Sequence, residues 1–155
     1  MENKEYYKRL FPLLTNYELI IDSESFFYNC ISHTINIKDK NSWPTNEYWP
    51  TNRDLSESSF DEFYEYHGFK KLNYLDISYD PNFIKVALYS KDGIPTHASI
   101  QIDGDFWESK IGQLGIIKHD LFEIEDSVYG EVTQIYRKPK VIKERIITKF
   151  KRFGI

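Results

Sequence analysis

The chain of 155 residues has one cysteine, and that scarcity excludes an internal disulfide framework and a structural zinc site built from four cysteines. No stretch approaches 18 consecutive apolar residues, so no membrane-crossing helix is read from it. Its opening, Met1-Glu2-Asn3-Lys4-Glu5, lacks the basic start and apolar run of a secretory signal. The expectation is a cytoplasmic protein, with delivery elsewhere as an effector left open. An overall excess of positive charge is also missing. The formal charge is −4, yet residues 137–155 hold eight Lys/Arg and one Glu, which leaves −11 on the rest. Phosphate attraction at such a tail competes with repulsion from the body, so nucleic acid is not an expected partner.

What the chain does have is apolar and aromatic mass: 41% hydrophobic and 17% aromatic residues, enough for one packed domain spanning 1–155. The spacing predicts a helix over 4–15 with Tyr7, Leu10, Phe11 and Leu14 on one side, broken or bent at Pro12. Residues 17–21 read as a short strand or an extended lead-in. Asn29 is a good N-cap for a helix that carries Cys30 and ends near Ile37. A second capped helix spans about 56–68, with Ser58 or Ser59 as N-cap, Phe60, Phe63 and Tyr64 as its stripe and Gly68 as its stop.

Strands follow at 83–90, 96–102 and 106–110, joined by turns at 91–95 and 103–105. A loop then leads to residues 116–120, a short helix lies around 120–127, and a last strand covers 130–136. The fold expected is α+β: N-terminal helices, one carrying Cys30, packed on an antiparallel sheet of about four or five strands. The body runs over about 16–137. A basic amphipathic helix over about 140–153, striped by Val141, Ile142, Ile146, Phe150 and Phe153, would then dock on the domain or meet a membrane surface or partner protein.

The leading chemistry is Cys30 with His97. A cysteine in the first turn of a helix meets unpaired backbone N–H groups that favour the thiolate, and an imidazole beside it makes the nucleophile and protonates the leaving group. His97 lies on a strand among small residues, and alternation sets it on the face of Ser99 and Gln101. The candidate orienters of its ring are Ser109 and His119, with Glu108 behind them. A three-residue turn at 103–105 would set Ser109 opposite Ser99; a two-residue turn would bring Lys110 opposite His97. The loop around Trp43 and Trp49, each followed by proline, is irregular. It would border a substrate groove with Gln101 and Lys110, or else cover the Cys30 helix as a satellite core. A competing reading takes Cys30 and His33, at i and i+3, with His97 and His119 as a zinc site. A third makes Cys30 and His97 packing residues of a non-catalytic interaction module that uses the Trp-rich loop or the basic helix. No cofactor is expected.

Several segments together carry a resemblance: Tyr28-Asn29-Cys30-Ile31, the Trp43-Pro44 and Trp49-Pro50 pairs, Thr96-His97-Ala98, and the stretch from Gly104 through Trp107, Ser109 and Lys110 to Gly112, with His119-Asp120. Over about residues 25–137 the chain resembles a family of uncharacterised, mainly bacterial domains with Tyr-Asn-Cys, Thr-His-x-x-x-Gln and Trp-x-Ser-Lys-x-Gly patterns. The layout is similar to that of papain-like cysteine hydrolases. It implies a peptidase, amidase, deamidase or acyltransferase with Cys30 as nucleophile, His97 as base and a peptide or protein substrate.

Overall fold

The computed structural model describes residues 4–21, 27–112 and 114–141. They build seven strands, three helices and one 3-10 turn: α1 (Lys4–Leu10), β1 (Tyr17–Ile21), α2 (Cys30–Thr34), α3 (Glu57–Tyr66), β2 (Lys70–Lys71), β3 (Phe83–Lys91), β4 (Ile94–Gln101), β5 (Trp107–Lys110), β6 (Ile116–His119), the turn Leu121–Ile124, and β7 (Glu131–Pro139). All strands join one sheet in the order β1-β6-β5-β4-β3-β7-β2, with every neighbouring pair antiparallel. The α+β class stands, and the sheet is larger than the expected four or five strands. The additions are β2 and β6, two and four residues long, too short for alternation to mark them, and β1, which the sequence leaves between strand and lead-in.

The sheet carries a different core on each face. Under α1, Tyr7, Phe11 and Leu14 pack with Ala87 and Tyr89 of β3, Trp107 of β5, Ile117 of β6 and Ile135 of β7. Under α2 and α3, Ile31, Phe60, Phe63 and Tyr64 pack with Val86 and Leu88 of β3, Ala98 of β4 and Tyr136 of β7. Strand alternation produces this division, since neighbours along β3 point to opposite sides.

The local devices are few. Asn29 caps α2: its Oδ1 accepts from the Ser32 N–H at 3.1 Å and the Ser42 N–H at 3.1 Å, while its Nδ2 donates to the Ser42 carbonyl at 2.8 Å. One side chain thus starts the helix and ties down the loop behind it. Ser56, two residues before the nearer of the expected caps Ser58 and Ser59, caps α3 by accepting from the Ser59 N–H at 3.2 Å. The β3–β4 hairpin turns on Asp92 (φ 53°) and Gly93 (φ 80°), a two-residue connection with both φ positive that matches strand twist and is tighter than the turn expected over 91–95. Gly130 (φ 77°) is required for a second reason, because a Cβ there would lie 2.1 Å from the Ser90 carbonyl oxygen. The expected basic helix over about 140–153 falls outside the described residues beyond Val141. Among the described residues no helix is long and apolar enough to cross a membrane.

Candidate functional site

The β4–β5 ladder pairs Ile100 with Glu108 and Gln101 with Trp107. Continued, that register sets Ser99 opposite Ser109, the outcome of a three-residue turn at 103–105. Side chains then join the strands: Ser99 and Ser109 oxygens lie 2.6 Å apart, and His97 Nε2 lies 2.9 Å from Ser109 Oγ. From β6, His119 Nε2 reaches the same Ser109 oxygen at 2.7 Å. His97, Ser99, Ser109 and His119 are each fully buried.

The protons of this chain follow from closing its hydrogen bonds. His119 Nδ1 lies 2.7 Å from the Asp120 carbonyl, so Nδ1 carries the proton and Nε2 accepts. The Ser109 hydroxyl therefore donates to His119. Its two lone pairs receive the His97 Nε2–H and the Ser99 hydroxyl, whose one proton also has Tyr89 Oη within reach at 3.3 Å. His97 is left with Nδ1 as a bare lone pair, buried and without a hydrogen-bond partner. Its ring stacks on Tyr129 at 3.9 Å and 7° and lies tilted to Tyr89, whose hydroxyl donates to the Leu121 carbonyl at 2.6 Å. Burial holds His97 well below its ordinary pKa, with the charges of His119 and His33 adding to the effect. Burial likewise pushes His119 down to about 4, against the opposing pull of its Asp120 carbonyl bond and of the Asp120, Glu123 and Glu108 charges. Both rings are neutral across the physiological range.

Cys30 sits elsewhere. It opens α2 as expected, but it is buried in the α2/α3 core with Ile31, Val86, Leu88 and Ala98. His97 precedes Ala98 on β4, so its ring and the cysteine approach that strand from opposite faces, and no hydrogen bond joins them. The thiol is pushed up to about 11 by burial. The backbone N–H groups of Ala98, Ile31 and Cys30 and the charge of Lys110 pull the other way and are outweighed. The thiol pKa lowering expected from the helix start is therefore reversed, because desolvation exceeds what the first turn of a five-residue helix supplies.

The other expected site residues are also structural in their contacts. Trp49, 2% exposed, stacks on Phe63 at 4.0 Å and 11°, and its indole N–H donates to the Asn52 carbonyl. Half-buried Trp43 meets Phe60 edge-on at 5.4 Å. These indoles cover α3 and border no groove with Gln101, which lies on the other face and donates to the Ile77 carbonyl at 2.9 Å. Lys110 is buried, donates to the Gly112 carbonyl and lies 5.0 Å from the Tyr28 ring centre. The zinc grouping does not assemble either. His33 Nε2 pairs with Glu108 at 2.8 Å, while His97 and His119 are joined through Ser109 on the opposite face. Among the described residues no cluster of three or more His, Cys, Asp or Glu could hold a metal.

One structural feature escaped the sequence reading. Lys85 of β3, its side chain 1% exposed, donates to the Asp76 carbonyl at 2.9 Å and the Ser78 carbonyl at 2.7 Å, and pairs with the Asp76 carboxylate at 3.3 Å. With the Gln101 bond to Ile77, it fixes the main chain of 76–78. The signal was present: alternation sets Lys85 on the side of Ala87 and Tyr89, facing inward in an otherwise apolar strand. The loop so held exposes Tyr74 (69%), Leu75 (47%) and Ile77 (38%). The β4–β5 turn borders it, since a Cβ on Gly104 would meet Tyr79 at 4.0 Å.

The family described as "Domain of unknown function (DUF7689)" matches residues 19–137, and the chain belongs to it. No curated protein and no solved structure matches the chain.

Proposed function

We propose that this member of the family is a non-catalytic protein-binding domain whose contact surface is the anchored 72–80 loop with the β4–β5 turn beside it. The observation that carries this reading is Lys85. Removing an ammonium from water costs several kcal/mol unless carbonyls and a carboxylate replace its hydration. Here its hydrogen bonds and its ion pair go to Asp76 and Ser78 of one surface loop, and the product is a rigid display of Tyr74, Leu75 and Ile77. Exposed apolar side chains on a fixed backbone suit recognition, because little ordering entropy is lost on contact. Asp76, Asp80, Asp103 and Asp105 accompany them on the two segments, and neither 72–80 nor 101–106 contains a Lys or Arg. Charge complementarity selects a partner segment that carries Lys or Arg beside an apolar side chain. The thiol-hydrolase reading is the weaker one, because it needs an exposed, activated cysteine in reach of an imidazole, and Cys30 and His97 are buried on opposite faces.

A photo-crosslinking residue placed at position 74 in the producing cell tests the surface. One discrete adduct is expected, lost when Leu75→Asp and Ile77→Asp are added, with Lys or Arg in the crosslinked partner segment. The same probe at Tyr48, exposed on the Trp-rich loop, serves as control. No adduct from position 74, or the same adduct from position 48, overturns the assignment.

A further inference from the structure

Beyond the C-terminal end of α2, a cavity of about 540 Å³ opens on the α2/α3 face. Its size lies within the roughly 300–1,000 Å³ of small-ligand pockets. Ile84 of β3 and Ile100 of β4 line it with half-buried branched side chains. The His33–Glu108 pair forms one wall, its carboxylate held at 2.8 Å by the imidazole. Lys38, exposed, and Lys138, half-buried, are among the residues that line it. Lys138 keeps its ammonium 4.9 Å from the Phe69 ring centre, so it is placed by packing as well as by charge. Lys38 follows Asn36, whose positive φ of 59° turns the chain after α2.

We infer that this cavity binds a small amphiphilic carboxylate, with its apolar body on Ile84 and Ile100 and its head group at Lys38 and Lys138. The apolar lining selects against a fully hydrated ion. The lining holds two lysines against one carboxylate that His33 already engages, so it favours a negative head group over a positive one. A neutral chain of the same length gains the floor contacts but not the Coulomb attraction. The site is independent of the 72–80 loop, which rests on Lys85 and Gln101, residues on the opposite sheet face.

Three probes with one chain and three head groups decide it: octanoate, octanol and octylammonium, titrated into the full protein and followed by amide and isoleucine-methyl NMR shifts. Octanoate is expected to bind saturably, with shifts centred on Ile84 and Ile100, and on the order of tenfold more tightly than octylammonium, a difference of about 1.4 kcal/mol. Lys38→Gln with Lys138→Gln should lower octanoate to the level of octanol while leaving octanol unchanged. Ile100→Trp, which fills the space, should remove all three. Because that variant can fail to fold, the lysine pair, neither of them fully buried, keeps the test decisive. Equal affinity for the three head groups, shifts centred elsewhere, or no saturable octanoate binding overturns the inference.

Discussion

The two faces of the sheet solve the same burial problem with different chemistry. Under α2 and α3 rings stack and meet edge-on, Trp49 on Phe63, Tyr64 on Tyr136 at 4.6 Å and Trp43 on Phe60, with single hydroxyl bonds such as Thr34 to Tyr64 at 2.7 Å among them. Such ring contacts tolerate a few tenths of an ångström of slippage, because dispersion falls off gradually. Under α1, a chain of hydroxyls and imidazoles lies inside an apolar shell, with Ser109 shared by His97, Ser99 and His119. A hydrogen-bonded chain at these distances forces the register of β4, β5 and β6, because a one-residue slip turns His97, Ser109 and His119 toward the other face. One face supplies cohesion and the other supplies alignment. The difference also shows why residue types mislead: cysteine, histidine and serine resemble a hydrolase in sequence, but the faces they occupy keep the thiol and the imidazole apart.

The sharpest way to break the comparison is to truncate one residue on each face. Trp49→Ala removes the ring that bridges Phe60 and Phe63 and leaves a cavity, at a cost of about 3–5 kcal/mol in urea unfolding. Titration separates the faces next. The folded His119 pKa of about 4 lies below the ordinary 6.5 of an unfolded chain, so between these values the unfolded state binds a proton that the folded state refuses. Stability is complete above about pH 7 and falls as pH drops from 6.5 towards 4, by about 3 kcal/mol from this ring, with His97 adding in the same direction. Unfolding midpoints across pH 4–8 should show this slope. His119→Asn should reduce it to the part that His97 supplies, and Trp49→Ala should keep it. A slope confined below pH 4 would place the effect on carboxylates such as Asp76, whose pKa is lowered chiefly by its Ser78 hydrogen bonds.

Smaller still is Ser109→Ala, which deletes one hydroxyl and strands His97 Nε2–H and the His119 acceptor together, while the Ser99 hydroxyl keeps Tyr89 Oη at 3.3 Å. We expect about 2 kcal/mol, from the loss of partners by groups that stay buried. Ser109→Thr should recover part of this, because its hydroxyl can still be shared. A result under about 0.5 kcal/mol would mean that water or repacking replaces the hydroxyl, and the alignment role would be lost.

How far the sequence carried can be traced through these residues. The Asn29 cap and the Phe60-Phe63-Tyr64 stripe rest on local rules, cap chemistry and helical spacing, and were legible, whereas the Ser99–Ser109 register was one of two that the turn at 103–105 left open. The pairing of β6 between β1 and β5 was not legible, since four residues with no period of their own join a sheet only through long-range partners. The site was legible in its membership and not in its geometry. His97, Ser109 and His119 do meet, because β4, β5 and β6 are neighbours. Cys30 does not meet them, and nothing in its own segment says which face of β4 the helix will cover. That choice is made by Ile31, Trp49 and Phe60 packing as a unit with Val86, Leu88 and Ala98.

The smallest expected effect is the one that bears most directly on the two faces, and it concerns Cys30. As a buried small hydrophobe it should tolerate Cys30→Ala at a cost of about 1 kcal/mol, from the sulfur's lost contacts alone. Its thiol, pushed up to about 11, should resist iodoacetamide through pH 5–9 in the folded protein and react once urea unfolds the chain, following the ordinary cysteine pKa of about 8.5. His97→Ala should leave that resistance in place, since the imidazole lies across the strand. Should the native thiol be alkylated rapidly at pH 6–7 and slow when His97 is removed, the faces would have to communicate through β4. Chemistry would then return to the residues assigned here to packing. Slow modification that tracks global unfolding in every variant is the expected result, and it would fix Cys30 as part of the cohesive face and His97 as part of the aligning one.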